Sequence, residues 1–350
     1  MTFQRTFFLS SIFLLTLVLT GCDLLGGTDE NGPSVSTAGV YVANQGNFGD
    51  GNGSVTVFSP ESQQAQTTAR GLNSIVQGIA VRDSNLYVMA NSAARIDVFS
   101  TSTFSQTGQI RGLTAPRYLT FSGPNTAFVT DQSFGRPDTV RVLDVSGSQP
   151  QLASSISVPG TAEGITTTGN QVYAALGAFS DTTLVASLNP DQNALTETID
   201  VGCTTRYVVA DADADVFALC SNTAEAVVLD GPTGTIQTRL SLPDTAETAF
   251  GVGQPASFSP NVQELYVATD SGILRVDTES NTVEQTLDVG LSAPAGAVAY
   301  DGLRDELYVA RPSGFSERGT VTVHDRSGSQ TSSFRAGIAP TYITLRRVDG

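Results

Sequence analysis

The feature that most constrains this chain is a pattern of about 45 residues that occurs seven times. Each copy contains a short strand pattern with a central aromatic residue among small or branched apolar residues. Consecutive aromatic positions are 41 to 49 residues apart, and they are Tyr41, Tyr87, Phe128, Tyr173, Phe217, Tyr266 and Tyr308. Two further strand patterns follow each aromatic strand, and another precedes it, often opened by Ala-Pro. Four short strands in a repeat of this length are typical of a propeller blade.

The sequence therefore predicts an all-β fold, a seven-bladed β-propeller with four antiparallel strands per blade over residues 39–350. A β-sandwich is the competing architecture, but uniform spacing over seven copies favours the propeller. The first copy lacks its opening strand, whereas residues 339–345 form an opening strand with no blade after it. We expect this C-terminal strand to join blade one and close the ring, because closure removes exposed sheet edges.

The consensus sequence of the repeat resembles that of the YVTN-type seven-bladed propellers, with Tyr-Val-x-Asn, then Ile/Val-x-Val-x-Asp, then Val-Gly and x-Pro. The segment from Tyr41 to Val55 (YVANQGNFGDGNGSV) is similar to the start of a family of Bacteroidetes surface lipoproteins, with Gln45 where that family has Glu. Some members capture cobalamin and pass it to a TonB-dependent transporter, and most have no assigned ligand. The resemblance implies a corrinoid as ligand and such a transporter as partner.

The N-terminus has the pattern of a bacterial lipoprotein signal. Arg5 precedes an apolar run from Phe7 to Leu19, which is shorter than the ~20 residues that span a bilayer. Leu19-Thr20-Gly21-Cys22 resembles a lipobox, which implies a signal peptide over residues 1–21 and lipidation of Cys22. Residues 22–38 are predicted to be a flexible tether. The alternative is an ordinary signal peptide with an incidental Cys.

We accordingly expect an outer-membrane lipoprotein, on either the cell surface or the periplasmic side, that meets the membrane only through its lipid. The net charge of −16 argues against nucleic acid as a partner. All 18 basic residues are Arg, and an acidic, Lys-free surface is typical of proteins that work in high salt. One His and three Cys argue against a His- or Cys-rich metal site, and we expect no metal and no cofactor.

The candidate site lies on one face of the propeller. Strands alternate in direction, so the loops after the second and fourth strands of each blade share a face, here the mouth face. The loops after the first and third strands share the opposite face, here the turn face. Turn-face loops such as residues 82–85, 122–125 and 168–170 are plain turns rich in Gly, Asn, Asp and Ser.

Four mouth-face loops carry a Phe among small and polar residues, and the connection into blade six adds Phe250. Aromatic residues around one rim suit ligand binding, although these rings could also fold back onto their own blades. Connections between blades add residues around the channel, with Arg suited to anionic or amide groups and Tyr to stacked rings. The predicted ligand-binding residues are Asn47, Phe48, Gln77, Arg117, Tyr118, Phe134, Arg136, Glu163, Phe179, Arg206, Tyr207, Phe315, Arg318 and Tyr342.

A catalytic function is not expected. The sequence has no Gly-x-Ser-x-Gly motif, and the single His324 occupies a strand position that is apolar in other blades. Asp211 to Asp215 alternates Asp with Ala, but it lacks the Gly and Glu that an EF-hand loop requires. We interpret it as a solvated acidic turn. We expect no catalytic residues.

A disulfide is predicted between Cys203 and Cys220. If residues 211–215 form a hairpin turn in which Val209 faces Val216, the two Cys residues lie nearly opposite one another on adjacent strands. Two independent buried thiols are the alternative. The sequence as a whole favours a lipid-anchored protein that binds a small molecule. A protein-interaction scaffold is the first alternative, and a lactonase-like hydrolase is a more distant one.

Overall fold

The computed structural model describes Met1 and residues 35–133, 137–243 and 253–349. The chain divides after residue 34, and the compact unit described below begins at Val35. The predicted signal peptide and Cys22 lie outside the described residues. Within those residues, no helix has the length and apolar character needed to cross a bilayer.

The described residues form seven four-stranded antiparallel sheets, which confirms the predicted all-β seven-bladed propeller. Blade one contains β1 (Val35–Asn44), β2 (Ser54–Ser59), β3 (Gln64–Thr68) and β28 (Pro340–Asp349). Blade two contains β4 (Val76–Arg82), β5 (Asn85–Ala90), β6 (Arg95–Ser100) and β7 (Gln106–Ile110). Blade three contains β8 (Pro116–Phe121), β9 (Thr126–Asp131), β10 (Thr139–Asp144) and β11 (Gln151–Ser157). A single turn of 3₁₀ helix, Asn91–Ala93, joins β5 to β6.

The other four blades repeat this order. Blade four contains β12 (Ile165–Thr168), β13 (Gln171–Ala175), β14 (Leu184–Asn189) and β15 (Ala194–Asp200). Blade five contains β16 (Thr205–Ala210), β17 (Asp215–Cys220), β18 (Glu225–Asp230) and β19 (Ile236–Ser241). Blade six contains β20 (Ala256–Ser259), β21 (Glu264–Ala268), β22 (Ile273–Asp277) and β23 (Thr282–Leu287). Blade seven contains β24 (Ala297–Asp301), β25 (Glu306–Arg311), β26 (Arg318–His324) and β27 (Gln330–Ile338).

The core lies between neighbouring blades. The second and third strands of each blade are largely buried, whereas fourth strands such as β3 and β19 are mostly exposed. The repeated aromatic residue of the second strand is buried in every blade. One apolar cluster, for example, joins Phe217 and Val228 of blade five to Leu265 and Leu274 of blade six. Each sheet therefore buries both faces of its middle strands against its two neighbours, which explains their near-continuous apolar sequences.

The C-terminal strand closes the ring as predicted. β28 pairs with β1 in antiparallel register, with Val40 opposite Leu345 and Val42 opposite Ile343. β1 also begins earlier than expected, at Val35 instead of residue 39, because its first residues pair with the C-terminal end of β28. The segment 35–38 thus belongs to the sheet and shortens the predicted tether.

The disulfide between Cys203 and Cys220 is present, with the two Cα atoms 5.5 Å apart. The hairpin register behind its prediction was wrong by one residue, because Val209 faces Phe217 and not Val216. An irregularity between Thr205 and Tyr207 shifts the ladder and places Thr205 opposite Cys220. A β-bulge of this kind inserts one residue into one strand and offsets the pairing beyond it.

Candidate functional site

Three tyrosines meet in the central channel. Tyr118, Tyr207 and Tyr342 come from the inner strands of blades three, five and one, which are not neighbours in the ring. The ring of Tyr118 lies 6.1 Å from that of Tyr207 and 5.6 Å from that of Tyr342, measured between centroids. The three side chains therefore fill the channel from opposite sides, and we call them the tyrosine cluster.

Glycines in intervening blades make room for these rings. A methyl group at Gly78 would lie 2.6 Å from the Arg117 carbonyl oxygen and 3.0 Å from the Tyr118 ring. One at Gly164 would lie 2.8 Å from the Tyr207 Cα atom. Such contacts are closer than side-chain carbons tolerate, so these two positions require Gly for the inner strands to approach one another.

The tyrosine cluster is buried and uncharged. Burial raises the pKa of Tyr118 to about 12, with a smaller contribution from the negative charge of Glu163. Burial also raises the pKa of Tyr207 well above its usual value, and that of Tyr342 above its usual value. The Tyr118 hydroxyl accepts from Gln77 Nε2 at 3.3 Å and donates to the Gly253 carbonyl at 3.3 Å. The cluster thus supplies an apolar, hydrogen-bonded floor beneath the mouth face.

A charged group lies beside this floor. The Arg117 guanidinium donates to Glu163 Oε1, and Arg206 Nη2 lies 3.9 Å from the same oxygen. Gln132 Nε2 donates to Glu163 Oε2 at 2.7 Å, so both carboxylate oxygens are engaged. All of these side chains are at least mostly buried, and the two Arg residues exceed Glu163 by one positive charge. We call Arg117, Glu163, Arg206 and Gln132 the arginine cluster.

Phe179 lies over the arginine cluster. Its ring centroid is 4.6 Å from the Arg206 guanidinium carbon and 5.9 Å from that of Arg117, within the range of cation–π contacts. The side chain is nevertheless 71% exposed, and its backbone has a φ of 53°. A bulky residue in this left-handed region is strained, and such strain is concentrated at functional sites. The structure therefore holds an apolar ring in solvent, above one buried and one largely buried cation.

The predicted ligand-binding residues fall into those that meet around the channel and those that lie elsewhere on the loops. Gln77, Arg117, Tyr118, Glu163, Arg206, Tyr207, Phe179 and Tyr342 are brought together around the channel. Phe48 and Phe315 are 74% and 53% exposed, so neither they nor Phe179 fold back onto their blades. The Asn47 side-chain oxygen accepts a hydrogen bond from the Gly49 backbone N–H within its own loop. Arg318 lines a cleft at the junction of blades one and seven. Phe134, Arg136 and Phe250 lie outside the described residues.

Gln132 was missed from the sequence, although a signal for it exists. It follows the second strand of blade three at the same offset as Gln45 in blade one, after Val-Thr-Asp and Val-Ala-Asn respectively. Glycines 78 and 164 carry a second signal, since the opening strands read Gln-Gly, Arg-Tyr, Glu-Gly and Arg-Tyr in blades two to five. This alternation predicts that each Tyr lies against the Gly of the preceding blade.

His324 lies in β26 as expected from its strand position, and it is buried. Its Nδ1 atom is 2.9 Å from the Gly328 carbonyl and its Nε2 atom is 2.9 Å from the Thr322 hydroxyl. Both ring nitrogens therefore have protein partners, and burial lowers the pKa of the imidazole. These contacts give His324 a structural role within blade seven.

The family described as "Domain of unknown function (DUF5074)" matches residues 38–334. The chain belongs to this family. The match covers all seven aromatic strands, so the family corresponds to the propeller and not to a single blade. No curated protein matches the chain.

Solved structures with the same fold are distant in sequence. A functionally unknown protein from Desulfotomaculum acetoxidans has a TM-score of 0.70 and 14% identity, and the similarity covers 88% of this chain and 99% of that one. A protein from Bacteroides fragilis, provisionally named a 6-phosphogluconolactonase, has a TM-score of 0.67 and 14% identity over 90% of this chain and all of its own. A provisionally named 6-phosphogluconolactonase from Bacteroides uniformis has a TM-score of 0.65 and 13% identity over 88% and 100%. At this identity the similarity concerns the fold alone.

Proposed function

We propose that this DUF5074 propeller is a lipid-anchored binding protein of the cell envelope that captures a small molecule on its mouth face. The proposed ligand is a corrinoid, which is a broad ring with amide and phosphate groups, and the proposed partner is a TonB-dependent transporter that receives it. The lipid anchor is Cys22. The observation that carries the proposal is Phe179, exposed over the buried Arg117 and the largely buried Arg206.

Phe179 and the arginine cluster offer complementary chemistry. An exposed ring can stack on the face of a planar ligand, and this burial is favourable because 71% of the side chain is now in water. The guanidinium groups beneath it can donate to amide oxygens or a phosphate. Arg117 is held in place by Glu163, which in turn is held by Gln132, so little ordering is needed when the ligand binds.

The contacts of Glu163 and His324 favour ligand binding over catalysis. The Glu163 carboxylate is buried and accepts a hydrogen bond at each oxygen, from Arg117 and from Gln132, which suits positioning of the Arg117 guanidinium better than proton transfer to or from a substrate. His324 is buried with both nitrogens in protein contacts. We therefore infer that the mouth face binds its ligand without converting it.

A hydrolase is the second candidate, favoured by the names given to the two Bacteroides neighbours. It is tested by incubating the protein with 6-phosphogluconolactone and following ring opening against the spontaneous rate. Hydrolysis that saturates with substrate and is lost in an Arg117→Gln variant would replace the binding proposal.

Titration with cyanocobalamin, followed by calorimetry and by retention of the coloured ligand on gel filtration, tests the binding proposal directly. Phe179→Asn removes the ring, and Asn adopts a left-handed backbone at low cost, so the loop is preserved. Loss of a well-buried aromatic contact should cost ~2 kcal/mol or more, a weakening of about thirtyfold.

Asn170→Ala is the control, because Asn170 is exposed on the turn face. It should leave the affinity unchanged. Equal weakening by the two variants would show that the site is not on the mouth face. Absence of binding at about 1 mM cyanocobalamin would exclude the corrinoid and favour a protein-interaction scaffold.

A further inference from the structure

A second cleft lies away from the tyrosine cluster, at the junction of blades one and seven. Its volume is about 420 Å³. Its walls come from the loop after β1, the end of β3, the connection from β3 to β4, and the facing ends of β26 and β27. The residues that line it include Asp50, Gly51, Gly53, Thr67, Arg70 and Arg318.

The cleft is positively charged in a strongly acidic protein. Arg70, Arg318 and Asp50 are the charged residues that line it, which leaves one net positive charge, whereas the whole chain carries −16. Nine other arginines form ion pairs with carboxylates in the described parts of the chain, but Arg70 and Arg318 are not among them. Two cations without carboxylate partners are therefore gathered in one concave place.

The Arg318 side chain is fixed by hydrogen bonds to both blades at the junction. Its Nε atom donates to the Ala336 carbonyl at 3.0 Å within blade seven, and its Nη2 atom donates to the Thr67 hydroxyl of blade one at 3.4 Å. Arg70 is exposed and has no hydrogen bond or ion pair to any residue the structure describes. One guanidinium is thus positioned by the protein, while the other is available to close over a ligand.

The opposite wall is the loop after β1, which is built from small residues and fixed by backbone hydrogen bonds. Gly51 N–H donates to the Asn47 carbonyl, Gly53 N–H donates to the Ser74 carbonyl, and Ser74 N–H donates to the Gly51 carbonyl. A methyl group at Gly53 would lie 2.6 Å from the Val76 nitrogen, so this loop packs directly on the next connection. The same loop carries exposed Phe48, and the loop before Arg318 carries exposed Phe315. A charged cleft is therefore bordered by two loops with apolar rings.

We propose that this cleft binds the anionic group of a small organic acid, a carboxylate or a phosphate attached to a ring, between Arg70 and Arg318. The guanidinium groups donate to the anion, which is the geometry that Arg recognises best. The attached ring then contacts Phe48 or Phe315 at the edge of the cleft. This site is separate from the arginine cluster, and it does not depend on the corrinoid proposal.

Benzoate, phenyl phosphate and uncharged benzyl alcohol are the probes. Binding to the full propeller is measured at low ionic strength by saturation-transfer NMR and calorimetry, because salt screens such contacts. We expect both anions to bind with millimolar affinity and benzyl alcohol not to bind. If phosphate is the natural group, phenyl phosphate binds more tightly, and if carboxylate is, benzoate does. Each result supports the cleft as an anion site.

Arg70→Gln and Arg318→Gln should each weaken the anions about tenfold or more. Arg111→Gln is the matched control, because it removes the same charge from an exposed Arg outside the cleft, whose side chain bonds to Gln109. It should change the affinity by less than about twofold. Phe179→Asn should also leave it unchanged, which separates this site from the mouth of the channel. Melting curves of all variants report whether the fold is retained.

Three outcomes would overturn the proposal. They are binding of benzyl alcohol as tight as that of the anions, equal weakening by Arg111→Gln and Arg318→Gln, and no saturable binding of either anion up to about 50 mM. A variant that melts early would be replaced by Arg318→Lys. That variant retains the charge but loses the planar fork, and the proposal requires it to bind the anions more weakly than the wild type.

Discussion

Asp211 shows how a single side chain organises a turn at an electrostatic cost. Its Oδ1 atom accepts the backbone N–H groups of Asp213 at 3.0 Å and Asp215 at 2.8 Å. Burial raises the pKa of the Asp211 carboxyl to about 6, and the nearby charges of Asp215 and Asp213 add to this effect. The turn is thus acidic, as expected, but its first residue is only partly solvated.

This shift predicts a pH-dependent stability. The folded state binds the Asp211 proton more tightly than the unfolded state, so the stability it provides is present below about pH 4 and lost as the pH rises through about 6. Asp211→Asn keeps an oxygen for the two N–H groups and carries no charge. We expect the variant to match the wild type near pH 4 and to be more stable by about 1 kcal/mol at neutral pH, measured by urea unfolding.

Asp191→Asn removes an equal charge from an exposed turn of blade four and serves as the control. A comparable gain from that variant at neutral pH would attribute the effect to the overall negative charge of the protein. It would then count against a local cost at Asp211.

At the scale of elements, the inner edge of blade five combines a bulge, a disulfide and two site residues. Cys203 precedes Arg206 by three residues, and its bond to Cys220 fixes this segment against the end of β17. The sequence was sufficient for the pairing of the two Cys residues because hairpin strands lie side by side wherever the register falls. It was not sufficient for the register itself, since the bulge at Thr205 and Tyr207 depends on packing around the channel and has no Gly or Pro to mark it.

Removing the disulfide should destabilise the propeller. The Cys203→Ala/Cys220→Ala variant should lose about 3 kcal/mol of unfolding free energy, because the bond joins two residues 17 positions apart and closes a loop in the unfolded chain. Urea unfolding measures the difference. Both Cys residues are buried, so a reductant added to the native wild type should have little effect until urea exposes the bond. Equal stability of the two proteins would contradict a structural role for the bond.

For the whole molecule, the seven-fold repeat was sufficient to predict the blades, their strands and the closing of the ring. Each blade has the same pattern of buried and exposed positions, and seven copies average out local exceptions. The candidate site does not follow from the repeat alone. The contact of Phe179 with Arg206 and that of Gln132 with Glu163 each join unlike segments of neighbouring blades, so they follow from three-dimensional packing.

Ring closure predicts the effect of a short truncation. A chain that ends at residue 339 lacks β28 and leaves β1 as an unpaired edge. We expect it to aggregate or to unfold without a cooperative transition, because an exposed apolar edge strand templates association. A chain lacking only residues 349–350 is the control and should unfold like the full protein. Gel filtration and thermal melting compare the two, and a monomeric, cooperative protein that ends at 339 would contradict the prediction.

The partnership of β1 with β28 also sets an order of events in time. The chain is synthesised from its N-terminus, so this edge of β1 has no partner until β28, about 300 residues later in the sequence, has been made. Tyr342 lies on that same last strand, and the tyrosine cluster therefore stays open until the final residues arrive. An interrupted chain would have six complete blades and no floor to its channel. The closed ring and the complete tyrosine cluster thus form together in a single late step.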